Sequence, residues 1–281
     1  MDPQSTTPCF EAHTFYSPGV HEHSLPCFFE GDGPLPGEPT INTCLTPLNR
    51  RSTATQRAFF LVGDSHSGAI SRGIVRAVQG QMSFVMAGRA ATSFSGVYAQ
   101  EQDSLRKAWV NRVVRALKEH VQEGDVLAIM NIAGKRRSGS WDLKHPTWLL
   151  TELYAPIIQA KKASLLLLGD NPALGAHPTQ CRHNPHLCAP RASDGLIASM
   201  EEFDNLATEF AASRPDVFFF KQSDLWVQTP AGEQFTGQVP GTTTNAYNDQ
   251  THSLSVGALY LWPYICSALT QWGFFDTSLA G

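Results

Sequence analysis

The sequence has few charged residues and no long apolar run. Charged side chains make up 16% of the 281 residues and the formal net charge is −4, which argues against a nucleic-acid partner because such a partner requires a basic face. The most apolar stretch, Leu254 to Trp272, is interrupted by Gly257 and Pro263. Its longest uninterrupted apolar run is shorter than the roughly 18 residues needed to span a bilayer, so we expect a buried terminal helix.

No apolar segment typical of a secretory leader follows Met1. Two interpretations remain open from this observation: the chain is cytosolic, or a leader or membrane segment lies outside this sequence. The second interpretation would place the domain outside the cell, in the periplasm or in the secretory lumen, with a tether to a membrane segment as one expected partner. The chain is long enough to bury a complete core as one sizeable domain.

The six cysteines favour an oxidising compartment. Cys181 and Cys188 bracket a loop rich in Pro, His and Asn, which would gain order from a cross-link, so we predict a disulfide between them. A metal site formed with neighbouring histidines is the alternative, but six intervening residues are more than the two to four usual in a zinc knuckle. The histidines of that alternative are His177, His183 and His186.

The other four cysteines are less informative. Cys9, Cys27 and Cys44 lie in an irregular segment that would benefit from bridging, but their partners cannot be deduced from sequence. Cys266 lies in the apolar terminal segment, where a free core thiol is one interpretation, and its pairing is left open by the sequence.

The chain divides into an N-terminal arm and an α/β domain. Residues 1–57 are dense in Pro, Gly, Thr and Ser, and we expect an arm that packs on the domain formed by residues 58–281. From Ala58 onwards, apolar runs typical of buried parallel strands alternate with helical segments. This alternation predicts a three-layer α/β/α sandwich around a five-stranded parallel sheet. The predicted strands are Ala58–Val62, Ser83–Ala87, Val126–Asn131, Ser164–Leu168 and Val217–Phe220. The predicted helices lie near 67–79, 103–122, 147–161, 196–213 and 254–271, and the polar segment 222–248 is expected to be a hairpin or loop over the site.

Two short motifs carry candidate catalytic chemistry. Gly63-Asp64-Ser65-His66 follows the first buried strand, and Asp249 precedes His252 by three residues near the other end of the chain. A serine becomes a nucleophile when a base takes its proton, and the base works better when a carboxylate orients it. Ligands bind beyond the carboxyl ends of parallel strands, so Ser65, His252 and Asp249 are expected to meet there. As ordinary structural elements, the two motifs would be a turn and a capped helix.

Other residues near these motifs are assigned no catalytic role. We expect His66 to open the first helix and point away from the site, and Ser67 to cap that helix. Ser67 also occupies the last position where the nucleophile elbow of an α/β-hydrolase requires glycine. Lys135, Arg136 and Arg137 follow the third predicted strand and could bind an anionic group of a substrate.

The two motifs, together with Gly257-Ala258, resemble those of the SGNH (GDSL-like) hydrolase superfamily. The resemblance is closest to SGNH domains appended to membrane O-acyltransferases. It implies a flavodoxin-like SGNH fold, and an oxyanion hole formed by the backbone N–H of Ser65, a glycine after the second strand and an asparagine after the third. Gly88 and Asn131 occupy those positions, although the usual Gly-x-Asn-Asp sequence is absent and His252-Ser253-Leu254 replaces the usual His-Leu-Ser.

The expected activity is serine-dependent ester hydrolysis of O-acyl groups, in particular on a carbohydrate, with no metal and no organic cofactor. O-acyl transfer to a glycan hydroxyl uses the same residues and is the alternative, and an inactive glycan-binding module is the second alternative. The expected partner is a small-molecule or polysaccharide acyl ester.

Overall fold

The structure is a computed structural model of the chain. It describes residues 27–29, 34–47, 57–79, 81–90, 104–130, 149–184, 187–188, 196–227 and 237–275.

A parallel sheet forms the centre of the described fold. It has six strands in the order β1-β3-β2-β4-β5-β6, and every neighbouring pair is parallel. Without β1, this is the flavodoxin-like order, in which the chain reverses direction across the sheet between β2 and β4. The strands are β1 Phe28–Phe29, β2 Ala58–Gly63, β3 Ser83–Arg89, β4 Val126–Met130, β5 Ser164–Leu168 and β6 Val217–Phe220.

Helices cover both faces of this sheet. The described helices are α1 Glu38–Leu45, α2 Ser65–Val78, α3 Ser104–His120, α4 Ala155–Lys161, α5 Pro178–His183, α6 Leu196–Ala212, α7 Ser223–Val227 and α8 Ser255–Gln271, and a π-helical segment, Leu149–Tyr154, precedes α4. Helices α2 and α8 contribute to one core cluster on one face, and α1, α3, α4 and α6 contribute to a second cluster on the other. Strand residues alternate between the clusters: Phe59 and Leu61 face the first, and Phe60 and Val62 face the second. The predicted three-layer α/β/α class is therefore confirmed.

The N-terminal segment contributes to the sheet, which corrects the expected count of five strands. Phe28 pairs with Gly88 and Phe29 with Arg89, so β1 extends the edge beyond β3. A disulfide between Cys27 and Cys44 joins β1 to α1. A strand of two residues is too short to show periodicity, and for this reason no sequence pattern predicted β1.

The expected Cys181–Cys188 disulfide is wrong for this structure. Both cysteines are buried free thiols in contact with each other. Burial, followed by the contact with Cys181, raises the pKa of Cys188 to about 12. Other contacts hold the two cysteines in place. Cys181 lies in α5, both cysteine side chains pack in the core, and the N–H of Gly175 donates to the carbonyl oxygen of Cys188.

Cys266, whose pairing the sequence left open, is a residue of α8 and is disulfide-bonded rather than a free core thiol. Among the described residues, no helix is both long and apolar enough to cross a membrane.

The two helices that flank the candidate motifs pack against each other at very short range. A Cβ atom added to Gly73 of α2 would lie 2.1 Å from the carbonyl oxygen of Ala258 in α8. Glycine at position 73 therefore permits the backbones of α2 and α8 to touch. Because α2 begins at Ser65 and α8 begins three residues after His252, this contact sets the relative position of the two motifs.

Candidate active site

The candidate nucleophile lies at the carboxyl edge of the sheet. Ser65 is the first residue of α2 and is separated from the end of β2 only by Asp64. Gly63 permits this turn to pack against β4, because a Cβ atom there would lie 1.7 Å from the carbonyl oxygen of Met130. Ser65 thus lies beside the β2–β4 reversal of the sheet, the position at which open α/β sheets bind ligands.

Asp64, rather than Ser67, caps α2. A carboxylate oxygen of Asp64 accepts a hydrogen bond from the N–H of His66 at 2.9 Å. The hydroxyl of Ser67 instead donates to the carbonyl oxygen of Asp64 at 2.6 Å. The predicted cap is therefore corrected by three residues, because Asp64 immediately precedes the first helical turn and can reach its free N–H groups.

Ser65, His252 and Asp249 form one continuous hydrogen-bonded row. Nε2 of His252 lies 2.7 Å from the hydroxyl oxygen of Ser65, and Nδ1 of His252 lies 2.7 Å from Oδ2 of Asp249. When Nδ1 carries the ring proton and its N–H donates a hydrogen bond to Oδ2 of Asp249, Nε2 is free to accept the proton of Ser65. This is the arrangement that activates a serine for nucleophilic attack.

The carboxylate of Asp249 is held in its ionised form. Partial burial alone would raise its pKa, but hydrogen bonds from His252 and from the backbone N–H groups of Thr251 and His252 outweigh burial and lower the pKa well below its usual range. Those N–H groups donate to Oδ1 at 2.7 Å and 2.9 Å, which leaves Oδ2 for the ring of His252. Asp249 therefore presents a negative charge to the candidate base at neutral pH.

The loop that carries Asp249 and His252 is tied to the residues after β5. The side-chain amide of Asn171 donates to the carbonyl oxygen of Thr251 at 2.9 Å. The hydroxyl of the buried Tyr247 donates to the carbonyl oxygen of Pro172 at 2.7 Å. The expected loop or hairpin near this site is partly described: Gln238 and Asn245 form one antiparallel bridge, and Tyr247 and Ser253 form another.

His66 does not point away from the site as expected. Its ring is buried, with Nδ1 at 2.7 Å from Oδ1 of Asp170, and its centroid lies 4.7 Å from that of His252. Burial alone would lower its pKa, but the charge and hydrogen bond of Asp170, aided by Asp64 and Asp249, raise the pKa to about 9. His66 is therefore a buried cation at neutral pH, adjacent to the candidate base.

The structure describes two of the three predicted oxyanion donors, Ser65 and Gly88, and their backbone N–H groups differ in whether they already have an acceptor. Ser65 is the first residue of a helix, and its backbone N–H donates to no protein group among the described residues. The N–H of Gly88 instead donates to the carbonyl oxygen of Cys27 at 3.1 Å, so it faces β1 and is not a free donor. This corrects the expectation for Gly88, because β1 of the N-terminal segment pairs with the edge of β3 and takes up this N–H.

Several predicted residues lie outside the described part of the chain. Asn131, the third expected oxyanion donor, is one of them, and so are the three basic residues 135–137 and His186 of the alternative metal site. Within the described ranges, no group of three or more His, Cys, Asp or Glu side chains is arranged to hold a metal ion.

Asp170 and Asn171 are site residues that the motif analysis missed. They follow β5 directly, in Gly169-Asp170-Asn171, and both are buried. Two polar residues shortly after the run of four leucines that ends β5 were the available signal, because the carboxyl ends of parallel strands share one edge of the sheet.

Comparison with known proteins identifies the fold. No protein-family profile and no curated protein sequence matches the chain. Among solved structures, the chain is similar to the periplasmic domain of a lipopolysaccharide acetyltransferase from Salmonella ser. Paratyphi A, with a TM-score of 0.63, 13% identity and coverage of 89% of this chain and 92% of that one. It is also similar to a protein from Streptococcus pneumonia that is provisionally described as a platelet activating factor, with a TM-score of 0.51, 13% identity and coverage of 84% and 92%. The chain shares the fold of these proteins, as the SGNH resemblance implied.

Proposed function

We propose that the chain is a serine-dependent acyl-transfer enzyme of the SGNH kind that acts on O-acyl groups of a carbohydrate. The observation that carries this proposal is the row of two 2.7 Å contacts joining Ser65, His252 and Asp249. Ser65 and His252 are 187 positions apart in the chain, so their contact exists only in the folded protein.

In the first step, the hydroxyl oxygen of Ser65 attacks the ester carbonyl carbon while Nε2 of His252 takes the hydroxyl proton. The resulting imidazolium is stabilised by the negative charge of Asp249. The tetrahedral intermediate collapses when the C–O bond to the departing alcohol breaks, and His252 returns the proton to that alcohol. Acyl-Ser65 remains. Water or an acceptor hydroxyl then attacks the acyl carbon while Nε2 of His252 takes its proton, and His252 returns this proton to the serine oxygen as the acyl C–O bond to Ser65 breaks.

The oxyanion of the intermediate lies, in this proposal, at the N-terminus of α2. The N–H of Ser65 points out of the first helical turn, where the helix dipole also favours negative charge. Each such donor typically contributes about 3 kcal/mol to transition-state stabilisation. We retain Asn131 as a proposed second donor because it follows β4, the strand next to β2, and we do not retain Gly88.

Hydrolysis and transfer differ only in what attacks acyl-Ser65. One fold neighbour is named as an acetyltransferase. This likeness supports transfer to a glycan hydroxyl as the second candidate function, beside hydrolysis. That neighbour is a periplasmic domain, and this chain contains a disulfide between Cys27 and Cys44. Since disulfides persist in oxidising compartments, we propose an extracellular, periplasmic or lumenal location.

The test is covalent labelling of Ser65 with a fluorophosphonate, followed by intact-mass and peptide mass spectrometry. Nitrophenyl acetate turnover is measured beside it, with and without an oligosaccharide acceptor, to separate hydrolysis from transfer. We expect labelling at Ser65 and a loss of turnover of several orders of magnitude in Ser65→Ala.

Ser71→Ala is the matched control. Ser71 lies in the same helix, is buried, and donates its hydroxyl hydrogen bond only locally, to the carbonyl oxygen of Gly68 at 2.7 Å. It should retain labelling and turnover. A folded protein that neither labels at Ser65 nor turns over esters would instead support the inactive glycan-binding module.

A further inference from the structure

A buried ion pair, His66 with Asp170, lies next to the candidate catalytic histidine, His252. The ring of His66 and the ring of His252 have centroids 4.7 Å apart and are tilted by 44°. The side chains of His66 and Asp170 are only 1% and 4% exposed, so solvent does not screen their charges. The Nε2 atom of His66 is buried without a hydrogen-bond partner among the described residues. Nothing in the acyl-transfer steps described above uses this pair.

The ion pair is also connected to the loop that carries the candidate base. Oδ1 of Asp170 accepts hydrogen bonds from Nδ1 of His66 at 2.7 Å and from the N–H of Asn171 at 2.9 Å. Asn171 in turn donates to the carbonyl oxygen of Thr251, the residue between Asp249 and His252 in the loop. The pair therefore contacts the loop that carries Asp249 and His252 in two ways. The ring of His66 packs against the ring of His252, and Asp170 is connected to Thr251 through the hydrogen bonds of Asn171.

A serine mechanism places opposite demands on the base. The ring of His252 must be neutral in the free enzyme, so that it can accept a proton, and must carry charge only as the serine attacks. Asp249 favours the charged ring at all times. A second cation in ring contact opposes that charge, because two like charges at such a distance repel each other, and burial of one of them reduces the screening by solvent.

We propose that His66 is a positioning residue whose cation, held by Asp170, supports the ring of His252 and keeps that ring unprotonated in mildly acidic solution. This inference rests on the proposed function, since it assigns a role toward the base of that reaction. The titratable groups that face His66 are Asp64 before α2, Asp170 after β5, and Asp249 and His252 in the loop before α8. Of these, only Asp170 forms a direct ion pair with His66 among the contacts of the described residues.

The experiment compares the pH dependence of kcat/KM for ester hydrolysis, from pH 5 to 9, in the wild type, His66→Gln and the double variant His66→Gln/Asp170→Asn. In His66→Gln the cation is lost and the carboxylate stays, so the acidic limb of the profile should move to higher pH by about one unit. In the double variant both charges are lost and a neutral hydrogen-bonded pair remains, so the shift should be smaller. His120→Gln, on the opposite face of the sheet, should leave the profile unchanged.

A purely structural role for His66 gives a different result. It would lower the plateau at every pH and leave the acidic limb in place, and that outcome overturns the proposal. The proposal is also overturned if the double variant shifts the limb as far as His66→Gln does, because the charge of Asp170 would then have no effect. If His66→Gln does not fold, the double variant alone must still shift the limb upward.

A second measurement does not depend on activity. Because the pKa of His66 is raised from 6.5 to about 9, its stabilising effect is complete below pH 6.5 and is lost as the pH rises through about 9. The free energy of unfolding of the wild type should therefore fall, relative to His66→Gln, across this range. If it does not, the cation is absent and the inference is wrong even if Ser65 is active. If the fall is observed but no ester turnover occurs, the proposed function is wrong and the role assigned to His66 in it is overturned too.

Discussion

Gly73→Ala should separate the two helices that hold the candidate catalytic groups. A Cβ atom at this position would lie 2.1 Å from the carbonyl oxygen of Ala258, whereas real Cβ atoms essentially never approach another atom closer than 3.0 Å. The obstacle is backbone, which cannot rotate away as a side chain can. Helices α2 and α8 must therefore move apart locally by about 0.9 Å or more to accommodate one methyl group.

Two effects of opposite sign decide the stability of this variant. Alanine is a better helix former than glycine by about 1 kcal/mol. Overpacking a core contact costs about 1–3 kcal/mol, and we take the upper end because the contacted atom belongs to a helix backbone. We therefore expect Gly73→Ala to lower the free energy of unfolding by about 2 kcal/mol.

The same displacement should also lower activity. Ser65 begins α2 and His252 lies just before α8, so movement between the helices is transmitted to the 2.7 Å contact between Nε2 and the serine hydroxyl. A misplacement of about 1 Å can reduce turnover about 100-fold. Urea unfolding measures the first effect, and nitrophenyl acetate turnover measures the second.

Gly37→Ala is the matched control, because a Cβ atom at Gly37 meets only the side chain of Pro39 at an ordinary 3.5 Å. It should leave turnover unchanged. If Gly73→Ala were instead more stable than the wild type and fully active, the helix propensity would have prevailed. The close contact between α2 and α8 could then not be what positions Ser65 against His252.

Two further substitutions probe the site and its surroundings. Asp249→Asn should keep the hydrogen bonds from Thr251 and from the backbone of His252. An amide N–H facing Nδ1 favours the wrong tautomer of the His252 ring, so turnover should fall about 10⁴-fold. Activity within tenfold of the wild type, in a protein with unchanged thermal unfolding, would rule out the role of the carboxylate. Asp204 is buried, and burial raises its pKa from 3.8 to about 6 despite a hydrogen bond from Ser223. The folded state therefore holds this proton more tightly than the unfolded state, and stability should fall by up to about 3 kcal/mol as the pH rises from about 4 to above 6. Asp204→Asn should remove that fall, as measured by urea unfolding at pH 4, 5, 6 and 7.5; an unchanged pH dependence would contradict the assignment.

The parts of the fold that were predicted correctly depend on local patterns. Strands β5 and β6 have the bounds that their apolar runs predicted, because a strand buried on both faces needs apolar side chains at consecutive positions. The Gly-Asp-Ser and Asp-x-x-His motifs were recognised by residue type and spacing. The short contact between Asp249 and His252 needs only three residues of backbone between them.

The features that were missed depend on contacts between distant parts of the chain. Phe28 and Phe29 become a strand only because the edge of β3 is free to pair with them, and that pairing takes the N–H of Gly88. Cys27 joins Cys44 while Cys181 and Cys188 remain thiols, because cysteine pairing depends on which side chains the fold brings together.

The sequence by itself therefore determined the layered α/β class, the strands buried on both faces and the identity of the candidate nucleophile, base and carboxylate. Only the tertiary structure brought Ser65 to His252 and placed His66 against Asp170, a residue 104 positions away. Hydrophobic patterning and turn chemistry act over a few residues, whereas the charge state of a buried side chain depends on every group that the completed fold packs around it.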